Sequence, residues 1–534
     1  GSHGASYASA FAVSPADDNL VLIGSDHGGQ LTEDLFISNA GGADPAGNPT
    51  FLNKDCGHAD LRALAYARTS GNEEVWVVGN DGGVSEARVS AAGPTQQPCT
   101  NLNGSGLTAT DFFGISNSEV DPSKIYAGAQ DNGGFTSNAA GWSWSYLGDG
   151  YDAVTDATDP NRAYIATNGG GLYYTTDGGN TWGSPPFATP GEPRAPNMPM
   201  LIDKSNTLFL AQTNVWRFHP SAAAATQLSF WGGPELRALH VPALNSSTVI
   251  AAKNGVTYGG SVPKLFRTDL AHYNSVPPWP SGWADITYDL PVFWQVITGI
   301  TSDESGGNVW VSMGNFGRHV LLLRKGSKHW EDYSQGLPQL PVNVIKFWEG
   351  GGDDSLFVGT DVGVYYRNRN LGEWKRISCR LPNVLVSDLE INNRTQKLRV
   401  ATRGMGAWET SLAALKTQGC SGDVSLTATY TSTSGPTMKE LQNNAVVTDA
   451  EPYWPVRLTP KSVCCVEPCN VVTNYSWKLY RVWQPFGFVI PENSGQNSPV
   501  TFIPDFWDWG PFWWHHYWYE YRVEVTGACG DKTC

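Results

Sequence analysis

Short apolar runs punctuated by Gly, Asn and Asp clusters fill the chain from about residue 7 to 411. A β-rich run ends in a small residue, then Asp or Asn, then glycine, and a second β-rich run follows. The phrase reads IGSDHGG at 23–29, VGNDGGV at 78–84, AGAQDNGGF at 127–135, IATNGGGLYY at 165–174, VGTDVGVYY at 358–366 and VATRGMGAW at 400–408. Runs this short, bounded by turn residues, predict antiparallel hairpins rather than helices. The best-preserved unit predicts four strands: an inner one over 110–120, then 125–131, 135–138 and an outer one over 142–147. Ala127, Gly128 and Ala129 suit a crowded centre where sheets converge. A repeat of roughly 40–60 residues falls in the range of propeller blades. The pattern predicts an all-β fold: a single β-propeller over 1–415 of about eight blades, with seven to nine open. Seven would leave two units outside the ring.

The pattern changes after Lys416. Residues 416–423 read as a linker. Alternating strands are predicted at 424–434, 471–483, 498–504 and 519–529, which fits a small immunoglobulin-like or PKD-like sandwich over 424–534.

Composition narrows the function classes. The 534 residues carry a net charge of −15, and only 16% are charged. No basic stripe is visible, so nucleic acid is not an expected partner. No apolar run is long enough to span a membrane. Neutral glycans or proteins at a cell surface remain as partners. Of nine cysteines, Cys420, Cys464, Cys465, Cys469, Cys529 and Cys534 crowd the end, while Cys56 and Cys99 are expected to pair in the second unit. The gaps within CCVEPC and CGDKTC are wider than zinc pairs usually use, so disulfides are expected over a metal site. Nine is odd, and Cys379 is the candidate free thiol. Disulfides imply export, and the start GSHGASYASAF shows no leader, so a removed one is the simpler expectation.

The segment TTDGGNTW, Thr175–Trp182, matches Ser/Thr-x-Asp-x-Gly-x-Thr-Trp, the Asp box of sialidase-like and sortilin-like propellers. HADLRALAY (58–66), GNDGGV and AGAQDNGGF together resemble secreted bacterial Asp-box propellers loosely labelled glycosyl hydrolases, over about residues 7–415. The resemblance implies a peripheral structural role for the box: Thr175, Asp177 and Gly179 hold the turn, and Trp182 packs between blades. Fragments of the box recur at KHW (328–330) and GEW (372–374). The sialidase Arg-Ile-Pro motif is absent. The two-propeller cleft of xyloglucanases needs a second propeller, and only one is expected here.

In a propeller the repeated turns share a face with the loops entering each blade. That mouth would gather Asp26, His27, Asp81, Asp131, Asn132, Asn168, Asp361 and Arg403 from the turns, and His58, Asp60, Arg62, Asp111, Asp149, Tyr151, Asp152, Glu235, Arg237 and Trp294 from the loops. Three readings compete: Asx residues bonding their own turns, a calcium site, and a glycosidase carboxylate pair drawn from Asp60, Asp131 and Asp152. A second cluster, IPDFWDWGPFWWHHYWYEY (503–521), carries Trp507, Trp509, Trp513, Trp514 and Trp518, too many aromatics for one small core. They predict an interface for subunit packing or glycan stacking. The leading expectation is an extracellular binding or assembly protein: the propeller is a rigid recognition scaffold, and the C-terminal domain attaches or self-associates, as in a surface array. The alternative is a glycoside hydrolase working at the acidic mouth.

Overall fold

The computed structural model describes most of residues 7–415, with breaks chiefly at 27–34, 91–97, 104–106, 188–191, 193–197, 220–223, 232–234, 255–262, 272–281 and 292–295; beyond 415 it describes the backbone of strands between Val424 and Thr533. Antiparallel sheets dominate. Each sheet before residue 415 is a meander in which successive strands pair in order, as short hairpin turns require.

Seven successive sheets form a ring. Their innermost strands are Phe112–Asn117, Gly150–Thr155, Met200–Ile202, Leu236–His240, Ile297–Ser302, Val342–Phe347 and Val386–Asn392. Each lies beside the next, and the last returns to the first. All seven line one central cavity of about 660 Å³, represented in order by Ser116, Asp152, Met200, His240, Thr298, Lys346 and Asp388. The first two sheets, over 7–54 and 61–101, pack on each other through Tyr7–Val13 and Leu61–Ser70 and stand outside this ring. The expectation of eight blades is thus corrected to seven. Hairpin spacing alone cannot say which unit meets which; the ring closes at Phe112–Asn117, not at the first strand.

Closure is made by polar braces between the first and last ring sheets. Asn392 Nδ2 donates to Ser118 O at 2.9 Å, and the guanidinium of Arg399, only 4% exposed, donates to Asn117 Oδ1 at 2.8 Å and to Glu409 at 2.9 Å. A recurring tryptophan pegs neighbouring sheets at the rim. Trp283 Nε1 donates to Leu228 O at 2.7 Å, Trp330 Nε1 to Thr287 O at 3.1 Å and Trp374 Nε1 to Tyr333 O at 2.7 Å. All three are buried, so the indole N–H needs the carbonyl that the preceding sheet offers. These are the tryptophans of KHW and GEW, with Trp283 as a third copy.

In the Thr175–Trp182 turn, Asp177 accepts from Thr181 N–H at 2.9 Å and from the hydroxyls of Thr181 and Thr175 at 2.6 and 2.9 Å. Those donors hold its carboxyl down at about 2. Trp182 meets Tyr126 of the preceding sheet edge-on, 6.1 Å between centroids. Cys56 and Cys99 form a disulfide that ties the segment entering the second sheet to the one before its last strand.

The C-terminal strands form two four-stranded antiparallel sheets. One orders Gly435–Leu441, Val424–Ser432, Val456–Val463 and Val500–Phe502; the other orders Phe488–Gln496, Asn474–Gln484, Trp518–Cys529 and Lys532–Thr533. Three of these, Gly435–Leu441, Val456–Val463 and Phe488–Gln496, lack the strict alternation that marked the others. Trp507, Trp509, Trp513 and Trp514 lie outside the described residues, as do Cys379, Cys420, Cys464, Cys465, Cys469 and Cys534. Trp518 and Cys529 are placed in backbone only.

Candidate functional site

Turn geometry brings the site together. In the repeated turns the glycine opening the return strand takes positive φ: Gly83 at +123°, Gly133 at +79° and Gly363 at +119°. Such values favour glycine and tighten the hairpin. Asp60 and Asp131 themselves sit at φ +61°. Strained non-glycine positions of this kind gather at functional sites.

These turns meet where the outlying pair of sheets touches the ring. His58 Nε2 lies 3.0 Å from Asp131 O, and Asn132 Nδ2 donates to Asp81 O at 3.0 Å. Asp131 N–H donates to Asp149 Oδ1 at 3.1 Å, and Asn168 Nδ2 donates to Asp149 Oδ2 at 2.8 Å. Arg62 holds Asp81 with two bonds of 3.0 Å and lies 4.0 Å from Asp60. Asp131 is pushed up to about 6, chiefly by burial and then by the charges of Asp149 and Asp81, with His58 pulling the other way. A carboxyl that keeps its proton into this range can donate it. Tyr151 is also raised, by burial first and then by Asp149 and Asp131, and Arg403 opposes this. Arg403 pairs with Asp111 and lies over the Phe113 ring, 3.6 Å from its centroid, while Phe113 meets Tyr151 edge-on at 4.8 Å.

Most of the expected mouth residues therefore share one junction, drawn from HAD, GND, QDN and GDG along the chain. Asp152 does not join them. It lines the central cavity, where its carboxylate accepts from Ala153 and Met200 N–H at 2.9 Å each; burial and then Asp388 push it up to about 7. Asp361 accepts from Asn343 Nδ2 at 3.0 Å in its own sheet, and Arg237 lies 4.0 Å from Glu235. Trp294, His27 and the side chain of Asp26 lie outside the described residues. Among the described residues no group of three or more His, Cys, Asp or Glu is spaced to hold a metal ion.

Two features escaped the sequence reading. The first is a bulge near the start of most inner strands, seen as register shifts between Gly150 and Ala153, Leu236 and Ala238, Ile297 and Gly299, Val342 and Val344, and Val386 and Asp388. A bulge re-aims one side chain; at one of them Asn343 reaches the expected Asp361. Bulges leave no mark on hydrophobic alternation. The second is Trp144, whose indole N–H donates to Asn132 O beside the acidic cluster; in sequence it read only as part of an outer strand.

No protein-family model and no curated protein sequence matches the chain. Solved structures do. The GH74 xyloglucanase from Xanthomonas campestris aligns with 76% of this chain and 59% of its own, at 16% identity and a TM-score of 0.50. A GH74 enzyme from Niastella koreensis aligns with 75% of this chain and 59% of its own, at 13% and 0.49. PorZ, a surface component of the type-IX secretion system of Porphyromonas gingivalis, aligns with 91% of this chain and 69% of its own, at 10% and 0.45. This chain thus spans about three-fifths of the length of the xyloglucanase it resembles. At such identity the likeness concerns fold, which is propeller-like and all-β. Among the described residues no helix is long and apolar enough to cross a membrane.

Proposed function

We propose that this chain is an extracellular or cell-surface protein that acts on a carbohydrate at the junction, as a glycoside hydrolase in which Asp131 donates the proton. One observation carries the reading: a carboxyl raised to about 6 lies in a strained turn between two packed units, beside Asp149 and Asp81. Asp60, which shares Arg62 with Asp81, is the partner carboxylate that activates water or attacks the sugar. Tyr151 and the Arg403–Phe113 pair wall the site. The likeness to a xyloglucanase supports a neutral polysaccharide as substrate, and the net charge of −15 disfavours an anionic one. The Asp-box reading of the ring and an immunoglobulin-like C-terminal domain for attachment or self-association belong to the same proposal. The test is turnover of xyloglucan and mixed-linkage β-glucan by the full chain and by Asp131→Asn. Loss of turnover with folding intact supports it; unchanged turnover overturns the assignment.

A second reading, a non-catalytic recognition and assembly module, is favoured by how fully Asp81 and Asp149 are engaged by Arg62, Asn168 and the Asp131 N–H. It predicts glycan or protein binding without turnover by the wild type.

A further inference from the structure

Trp142 and Trp144 lie two residues apart on the outer strand Gly141–Ser145 and so share one face of the first ring sheet. Both are large, apolar and outward-facing, at 46% and 57% exposed. Neither ring is loose. Trp142 stacks on Phe112, with centroids 5.7 Å apart and planes 29° from parallel, and Trp144 is tethered by its indole N–H to Asn132 O. Asn132 in turn reaches Asp81 O. A single bonded path thus runs from the aromatic face into the acidic junction. Two indoles held while exposed form an apolar surface that has given up rotamer freedom before any ligand arrives, which lowers the cost of binding.

We infer that Trp142 and Trp144 form a sugar-stacking subsite that holds a β-linked, gluco-configured chain as it enters the junction. A pyranose with equatorial hydroxyls presents a flat face of axial C–H groups, which matches an indole plane, while its edge hydroxyls meet the carboxylates and Asn132 nearby. Residue spacing agrees with an extended chain: positions two apart on a strand stand roughly 6.6 Å apart, within reach of adjacent sugar rings. The chain's net charge of −15 disfavours uronates and leaves neutral sugars. The occupant rests on the carbohydrate reading of the junction, but not on Asp131 being its acid.

The test measures binding in the full chain carrying Asp131→Asn, by affinity electrophoresis in mixed-linkage β-glucan and xyloglucan and by calorimetry with cellohexaose. Adding Trp142→Ala and Trp144→Ala should weaken binding at least tenfold, and adding Trp142→Phe and Trp144→Phe should restore most of it. Equal binding by the alanine and parent proteins overturns the subsite, as does absence of binding to all three probes. Turnover by the wild type against Asp131→Asn judges the catalytic reading separately. Lost turnover with tryptophan-independent binding leaves the acid and removes the subsite. Retained turnover with tryptophan-dependent binding does the reverse.

Discussion

Asp388 accepts a hydrogen bond from the backbone N–H of Ile115 at 3.0 Å, although 273 residues separate them. The bond joins the last ring sheet to the first. Asp152, in the second ring sheet, makes the same kind of brace, taking the N–H of Met200 from the third. Inner-strand carboxylates are therefore used as struts across the ring, which is why Asp152, an attractive catalytic candidate in sequence, is committed to the channel wall.

Ring closure should depend on Arg399. Its guanidinium spans Asn117, Pro122 O and Glu409 with almost no exposure. Arg399→Ala leaves Asn117 Oδ1 and Pro122 O without this donor and should cost about 3 kcal/mol. Urea denaturation monitored by tryptophan fluorescence checks it, and a change under about 0.5 kcal/mol, as surface substitutions give, would refute the closure role.

Gly128 should tolerate no side chain. A Cβ there would stand 2.1 Å from Tyr151 O and 2.6 Å from Tyr151 N, both backbone atoms of the adjoining inner strand. Backbone cannot swing aside as a side chain can. Gly128→Ala should lower stability by about 3 kcal/mol and, by shifting Tyr151 and Asp149, reduce any junction activity. A melting curve superimposable on wild type would count against this packing.

Stability should fall as pH rises from acid towards neutrality. Asp152 titrates at about 7 when folded, against an ordinary 3.8. The folded protein therefore binds the extra proton between these values, and the stabilisation is lost as pH passes through about 7. Asp131, at about 6, acts in the same direction. Asp388 and Glu390 are also raised, by burial first, so Asp152→Asn removes one of several such groups and the drop in Tm between pH 5 and pH 8 should shrink without vanishing. An unaltered drop would exclude Asp152 as a source.

Asp177 should show the opposite sign. Its carboxyl lies at about 2 in the fold, so its contribution is present above about pH 4 and is lost as pH falls through 2. Asp177→Ala should lower Tm at pH 7, and the deficit should narrow in strong acid. A deficit that is constant with pH would mean the turn is held by something other than the charged carboxylate.

Activity at the junction should require protonated Asp131. The rate is expected to decline above about pH 6, and Asp131→Asn should lower kcat by about 10²–10⁴-fold. A rate that climbs steadily to pH 8 would argue for another donor.

Up to about residue 411 the chain's alternation and turn residues were enough to mark the recurrent hairpins, their antiparallel pairing and the small residues at the centre. These are local properties: period-two alternation and positive-φ glycines act within a few residues. The phrases GND and QDN marked their aspartates as belonging to turns, HAD and GDG marked theirs as entry-loop residues, and these segments do meet. Only the tertiary structure decided that the ring has seven members and closes at Phe112–Asn117, leaving the first two sheets outside. It alone parted Asp152 from Asp131, placed Trp144 beside Asn132, and set Asp131 apart as the raised carboxyl of the junction. Each of these depends on contacts between residues tens to hundreds of positions apart, and on burial, which the whole ring creates and no single hairpin contains.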